Sequence, residues 1–326
     1  MTRTRTRIRS LCALAAAASL AFGVAACGED ETSTTPETGS SASETSPQDL
    51  SGSIAIDGSS TVFPFAQAAA ELFNEEAPDV QITVGQSGTG GGFEKFCAGE
   101  TDISNASRLI KDDEEVPLCE KGSVTYKEAQ IANDGIAVVT NKSIAIDCLT
   151  VDQLKSIWNK GSKIKTLKDV DASFPDGELA LFGPGTDSGT FDFFTKEVNG
   201  EEGATRDDYE PSEDDNQLVA GVEGSESGLG YFGFSYYEAN AEKLNLVGID
   251  GGDGCVKPSK EAIQDGTYTP LSRPIYMYPS EKALERPEFK AFMAFVAENH
   301  AAISEAAKIV PLTDEQAAAL KTVVGS

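Results

Sequence analysis

Positive charge is what this sequence has least of for its size. Against 53 Asp and Glu it sets 26 Lys and Arg, a formal net charge of −27 over 326 residues. A chain this acidic lacks the basic footprint that a nucleic-acid backbone demands, so no nucleic-acid partner is expected. Small-anion binding survives the test, because helix ends and oriented backbone N–H groups build local positive sites inside acidic proteins. Histidine is scarcer still: His300 is the single one. With no Cys-x-x-Cys pair in the chain either, the usual zinc ligand sets are missing, and no metal or cofactor is expected. Beyond residue 26 no apolar run approaches the roughly 18 residues of a membrane span. A Gly-x-Ser-x-Gly nucleophile elbow is absent too, since Gly85-Gln86-Ser87-Gly88-Thr89 ends in Thr. Neither a Walker loop nor a GxGxxG fingerprint occurs. A triad base would have to be His300, on the stripe of a C-terminal helix, or a lysine, so catalysis is not expected.

What is present begins at the N-terminus. Arg3, Arg5, Arg7 and Arg9 precede an apolar run, Leu11 to Ala26, that ends in Gly-Val-Ala-Ala before Cys27. A basic segment, an apolar one and small residues at the cut make residues 1–26 a secretory signal. GVAAC resembles a bacterial lipobox, which implies that Cys27 is the lipidated first residue of the mature chain, anchored to the cell membrane on its outer side. An ordinary signal peptide with a chance cysteine is the other reading. Residues 27–50 are rich in Ser, Thr, Glu and Pro and read as a disordered tether. Cys12 leaves with the signal, so Cys97, Cys119, Cys148 and Cys255 remain for two disulfides of an exported protein. Of the three connectivities, Cys97–Cys119 with Cys148–Cys255 is the expected one.

After the tether, strands and helices alternate. Gly52–Asp57 and Val80–Val84 read as strands, each followed by a helix, at about Phe63–Asn74 and Phe93–Ala98. Asp102–Ala106 is a third strand. Each loop after a strand carries hydroxyls or glycines, as expected of an α/β fold with a mostly parallel sheet and a ligand beyond the strand ends. Gln130–Thr140 and Pro274–Tyr278 are longer extended runs, Leu229–Tyr237 is an aromatic strand, and Leu149–Asn159, Gln217–Glu223 and Phe289–Glu305 are helical. The expected organisation is a discontinuous first lobe, 51–133 with 274–326, and a second, 134–273.

Three loops share one chemistry. Ser59-Ser60-Thr61 precedes a helix, where one hydroxyl would suffice as a cap and three exceed that need. Ser87 and Thr89 flank glycines that lead into Gly90-Gly91-Gly92. Gly183–Phe194 (GPGTDSGTFDFF) carries Ser188, Gly189 and Thr190 at a helix start. Ser107 closes the third strand, and the neighbouring Arg108 brings a planar fork suited to a tetrahedral oxyanion; a surface ion pair explains that arginine equally well. Neutral donors around one guanidinium bind an oxyanion by dipoles and hydrogen bonds.

DGSSTVFP, GQSGTGGGF, DISNASR, GPGTDSGTFDFF and LSRPIYMYPS, together with the lipobox, resemble the PstS family in order and spacing. These are extracytoplasmic phosphate-binding proteins of ABC-type importers. The resemblance covers the chain beyond the tether. It implies a two-lobed type II periplasmic-binding-protein fold, with mixed sheets flanked by helices and a ligand cleft between the lobes. It further implies a monomeric lipoprotein that binds inorganic phosphate and delivers it to a permease. Carried across, the ligand set is Ser60, Thr61, Ser87, Thr89, Ser107, Ser188, Gly189 and Thr190. The family's best-known members have an aspartate where this chain has Ser107, and an arginine just ahead of the Ser-Gly-Thr loop where it has Pro184. Arg108 is then the candidate cation. Asp187 is the first candidate acceptor for the proton of phosphate and Asp57 the second; Asp187 reads as well as a helix N-cap. Sulfate, thiosulfate, molybdate or an organic phosphate are alternative ligands, and a phosphate-related hydrolase is an alternative activity.

Overall fold

The structure, a computed structural model, describes residues 47–174 and 176–325. The signal segment, Cys27 and most of the tether lie outside the described residues.

The chain enters as an alternation. Strand β1 (Gly52–Gly58) leads to helix α1 (Phe63–Glu76), β2 (Val80–Val84) to α2 (Gly88–Cys97), and β3 (Ile103–Ala106) to α3 (Glu115–Gly122). Pro64 opens α1, where its missing N–H has no partner to lose. Phe65, Ala66, Ala69, Ala70 and Phe73 then recur at helical spacing and are buried. β1 pairs parallel with β2 and β3. The glycine run Gly88–Gly92, expected as a loop, is instead the first half of α2. Glycine costs a helix on the order of 1 kcal/mol per residue relative to alanine, so close approach has to justify it. At Gly92 it does, since a Cβ there would stand 2.5 Å from Gly58 Cα.

The crossing strand β4 (Ala129–Asn141) follows, then β5 (Cys148–Thr150), α4 (Val151–Trp158), α5 (Leu167–Val170), β6 (Ala180–Pro184) and α6 (Gly189–Phe194). Thr150 caps α4 in a reciprocal capping box with Gln153. A π-helical turn, Thr195–Asn199, extends α6. Next come β7 (Glu210–Ser212), α7 (Asp215–Gly224), β8 (Gly228–Gly233), α8 (Phe234–Ala239), β9 (Leu244–Asp250), β10 (Cys255–Val256) and α9 (Lys260–Gln264). The aromatic run expected as one strand thus divides: Leu229–Gly233 lies in β8, whereas Phe234–Tyr237 turns into α8. Strand β11 (Ser272–Pro279) brings the chain back, and α10 (Pro287–Ala306) and α11 (Asp314–Gly325) close it.

The sheet is mixed, as the resemblance implies, rather than mostly parallel as the alternation alone suggests. Its order is β2-β1-β3-β11-β4-β8-β6-β7, with β9 pairing β4, β5 and β10. β11 is antiparallel to both β3 and β4. The first part of β4 pairs with β11, and from Ile136 onward β4 pairs with β8 and β9. Its apolar residues are buried on both faces, as the uninterrupted run Ile136–Val139 demands.

Two large apolar clusters flank this crossing. One gathers α1, α10, α11 and strands β1–β3 around Phe73, whose ring meets those of Phe292 and Phe295 edge-on at 5.4 Å each. The other centres on Trp158, Phe194 and Tyr231. Both expected disulfides are present: Cys97–Cys119 ties α2 to α3, and Cys148–Cys255 ties β5 to β10 beside β9.

Candidate anion-binding cleft

A cavity of about 980 Å³ opens where β1 and β3 end, the position the strand-end rule predicts for a ligand. One wall is Ser59–Thr61 after β1, Ser87–Gly91 at the start of α2, and Ser107–Leu109 after β3. The other carries Gly189, Asp192, Phe193, Lys196, Glu197 and Glu202, and β11 closes the back with Ser272, Arg273 and Pro274. The cleft therefore gathers Ser60, Thr61, Ser87, Thr89, Ser107, Arg108 and Gly189 from the sequence-derived set. Ser188, Thr190 and Asp187 flank Gly189 without lining the cavity.

The hydroxyls of the first wall are not spent on capping. The position before α1 is Val62, and no side chain caps that helix. Ser60 makes no side-chain hydrogen bond among the described residues. Thr89 Oγ1 accepts from Ser107 N (3.2 Å) and lies 3.1 Å from Ser107 Oγ, which fixes α2 against the end of β3. Ser87 Oγ donates to Asp57 Oδ1 at 2.5 Å, and Lys95 Nζ reaches Asp57 Oδ2 at 2.6 Å. Burial acts to raise the Asp57 pKa, but those two bonds outweigh it and hold the carboxyl below its ordinary value. Asp57 is thus a buried, paired carboxylate outside the cleft lining, a poor acceptor for a ligand proton.

Gly189 is where the two walls meet. A Cβ there would overlap Thr61 Oγ1 and N and stand 2.7 Å from Ser60 Oγ. Beside it, Ser188 caps α6, its Oγ accepting from Thr190 N at 3.2 Å. The Asp187 side chain is exposed, and its backbone makes the contacts: its N–H donates to Glu213 Oε1 (3.2 Å) and its carbonyl accepts from Gln86 Nε2 across the cleft (3.3 Å). Neither proton acceptor named from the sequence faces the cavity.

The cation is the larger departure from expectation. Arg108 does line the cleft, but its fork grips both carboxylate oxygens of Glu115 at 2.8 and 2.7 Å, and its Nη1 also donates to Leu109 O. Its hydrogen bonds to Glu115 raise its pKa, and the ion pair offsets its charge. Arg273, present in the sequence analysis only within the LSRPIYMYPS motif, lines the back of the same cleft. Opposite Asp134 in the β4–β11 register, it holds Asp134 Oδ2 at 3.2 Å through Nε. Its Nη2 donates to Thr61 Oγ1 (2.6 Å) and Gly189 O (3.3 Å), one residue from each wall. Its guanidinium lies 3.8 Å from the centroid of the Phe193 ring. Burial lowers the pKa of Arg273 and Asp134 opposes that, but an arginine stays charged either way. A signal for it existed: one cation leads the otherwise apolar run of LSRPIYMYPS.

Acids line the cleft as well. Asp192, the fourth residue of α6, is half-buried, and no hydrogen bond or ion pair holds its carboxylate among the described residues. Its pKa rises to about 6, first from burial and then from Glu202, with Arg273 acting the other way. No cluster of His, Cys, Asp and Glu able to hold a metal occurs among the described residues, and no described helix is long and apolar enough to cross a membrane.

The chain has known relatives. A family model described as the PBP superfamily domain matches residues 35–300. Protein SphX of Synechococcus elongatus is 44% identical over 262 residues, 79% of this chain and 77% of its own. The phosphate-binding protein PstS of Staphylococcus saprophyticus is 42% identical over 281 residues, 84% of this chain and 86% of its own. The crystal structure of a possible phosphate binding protein from Planctomyces limnophilus superposes with a TM-score of 0.79 at 41% identity, over 85% of this chain and 98% of that one. The chain belongs to the PBP superfamily and, within it, to the family of the PstS proteins.

Proposed function

We propose that this protein captures inorganic phosphate outside the cell membrane and hands it to the permease of an ABC transporter, without catalysing a reaction. One observation carries the reading. A set of neutral hydroxyls and glycines surrounds a half-buried arginine, Arg273, that touches both walls of the cleft. Such a site holds a small tetrahedral anion by hydrogen bonds to each oxygen and one charge-assisted fork. In this reading 51–133 with 274–326 and 134–273 are two lobes, each with its own apolar core. The ligand binds the open form, and closure about β4 and β11 brings Gly189 onto Ser60 and Thr61. Ser188 and Thr190 then complete the set of donors. The names of the PstS relative and of the Planctomyces structure support phosphate over sulfate, thiosulfate or molybdate. Cys27 after Gly-Val-Ala-Ala supports a lipid anchor that keeps a monomeric receptor beside its permease.

The test is a thermal-unfolding panel on protein stripped of ligand by unfolding and refolding. Phosphate should raise Tm in a concentration-dependent way, by about 4 kcal/mol of added stability at a thousandfold excess over Kd. Sulfate, thiosulfate and molybdate at the same concentrations should not. A larger shift with any of those three would overturn the phosphate assignment. Release of p-nitrophenol from p-nitrophenyl phosphate that disappears in Ser188→Ala would favour a hydrolase instead.

A further inference from the structure

We propose that Phe193 is a positioning residue for the anion: its ring fixes the plane of the Arg273 guanidinium, so that Nη1 is presented to phosphate. The inference rests on the phosphate reading above and names what prepares its cation. It starts from a count of donors. A guanidinium carries five N–H bonds in one rigid plane. In Arg273 the one on Nε goes to Asp134 Oδ2, and Nη2 donates to Thr61 Oγ1 and Gly189 O. The two on Nη1 have no partner among the described residues, on a side chain that lines the cavity. They are the donors left for a ligand.

Hydrogen bonds along the edges of the fork leave its two faces open to water or to a side chain. Phe193 covers one of them, with its ring centroid 3.8 Å from the guanidinium carbon, a contact distance for a cation over a ring. The ring blocks tilting toward that side and keeps water off it, which strengthens the hydrogen bonds the fork makes. As a direct ligand contact the same side chain is a poor choice. A phenyl ring has no donor, and its face carries the negative end of a quadrupole, which repels an oxyanion. A buried phenylalanine on the wall of an anion cleft is explained by the arginine it covers, not by the anion.

Local structure makes the placement firm. Phe193 follows Gly189 by four residues in α6, so both stand on one face of the helix. That face gives the guanidinium an edge contact through Gly189 O and a face contact through the ring. The next residue, Phe194, stacks on Tyr231 at 3.7 Å, and Trp158 packs edge-on against both rings. Those contacts anchor α6 in the second apolar cluster. From the other side Asp134 holds the arginine through the β4–β11 register, and Thr61 through Nη2. A donor held this way spares the ligand the cost of ordering it.

The experiment is a double-mutant cycle, read by calorimetric titration of phosphate into ligand-stripped protein. Phe193→Leu keeps an apolar side chain but loses the ring face, and should weaken phosphate at least about fivefold. Phe193→Tyr keeps the face and should stay within about twofold of the wild type. In an Arg273→Ala background, with no guanidinium to hold, Phe193→Leu should change the remaining affinity by less than about twofold. A loss of equal size in both backgrounds overturns the proposal, because the ring would then shape the cleft rather than the arginine. So does an unchanged affinity in Phe193→Leu, or a Phe193→Tyr variant that binds as weakly as Phe193→Leu while keeping the wild-type Tm. If Phe193→Leu does not refold, Phe193→Met carries the same comparison. A wild type that gives no heat with phosphate overturns the phosphate reading itself, and this inference falls with it.

Discussion

Arg273 and Arg108 lie on the same cavity and carry the same charge, yet the structure gives them different work. The fork of Arg108 is filled by Glu115, a 6%-exposed carboxylate, whereas Nη2 of Arg273 donates to one residue from each wall. Arg273→Ala should therefore weaken phosphate by roughly 2–5 kcal/mol. Arg108→Ala should shift binding by less than about 1 kcal/mol but lower Tm, because it strands Glu115 as a buried unpaired charge. Titration and thermal melts of the two variants separate these outcomes. A second residue tests stability against pH. Asp215 at the start of α7 has its pKa raised to about 6, by burial first and by Asp214, Asp134 and Glu213 after it. Its native pKa lies above the unfolded value, so the folded chain holds a proton between about 4 and 6 that the unfolded chain has released, and stability falls as pH rises through that window. Asp215→Asn should raise Tm at pH 8, by on the order of 1 kcal/mol of stability, and give no gain below pH 4; melts at the two pH values check this. Sequence spacing located the hydroxyl loops because hydroxyls and glycines cluster within a few residues. It missed Arg273 because the partners of that side chain, Asp134 and Thr61, lie 139 and 212 residues away, and only strand register brings them together.

Elements were more legible where local chemistry decides them. The capping box of α4 and the prolines opening α1 and α10 are written in single residues. Where tertiary contact decides, the reading failed. The glycines of α2 looked like a loop, yet the helix runs through them because Gly92 packs on β1. Pro274–Tyr278 read only as an extended run, and it takes tertiary contact to make β11 return through the sheet and pair antiparallel on both sides. Two elements invite tests. Gly189 heads α6, and a methyl group there meets Thr61 and Ser60, so Gly189→Ala should keep the fold and lose closure. Small-angle scattering should show no phosphate-dependent contraction of the variant, with affinity reduced at least tenfold. The Cys97–Cys119 bond staples α2 to α3, the helices that carry Thr89 and Glu115. Replacing both cysteines with serine should cost about 3 kcal/mol for a loop of that size, read from denaturant unfolding.

At the scale of the whole molecule the charge of −27 and the anion site coexist because the field at the cleft is local. A half-buried arginine, backbone dipoles and aligned hydroxyls act at hydrogen-bond distance, while most of the acids are spread over the solvated surface, where salt screens them. Phosphate affinity should consequently change little between low and physiological ionic strength. The central claim is that one phosphate binds between the walls of the cleft, on Arg273. Calorimetric titration of phosphate into the stripped wild type beside Arg273→Ala tests it most directly. The account predicts one site per chain of micromolar or tighter affinity in the wild type, and at least a thirtyfold loss in the variant. A wild type that gives no heat of binding, or a variant that binds as tightly as the wild type, would contradict it.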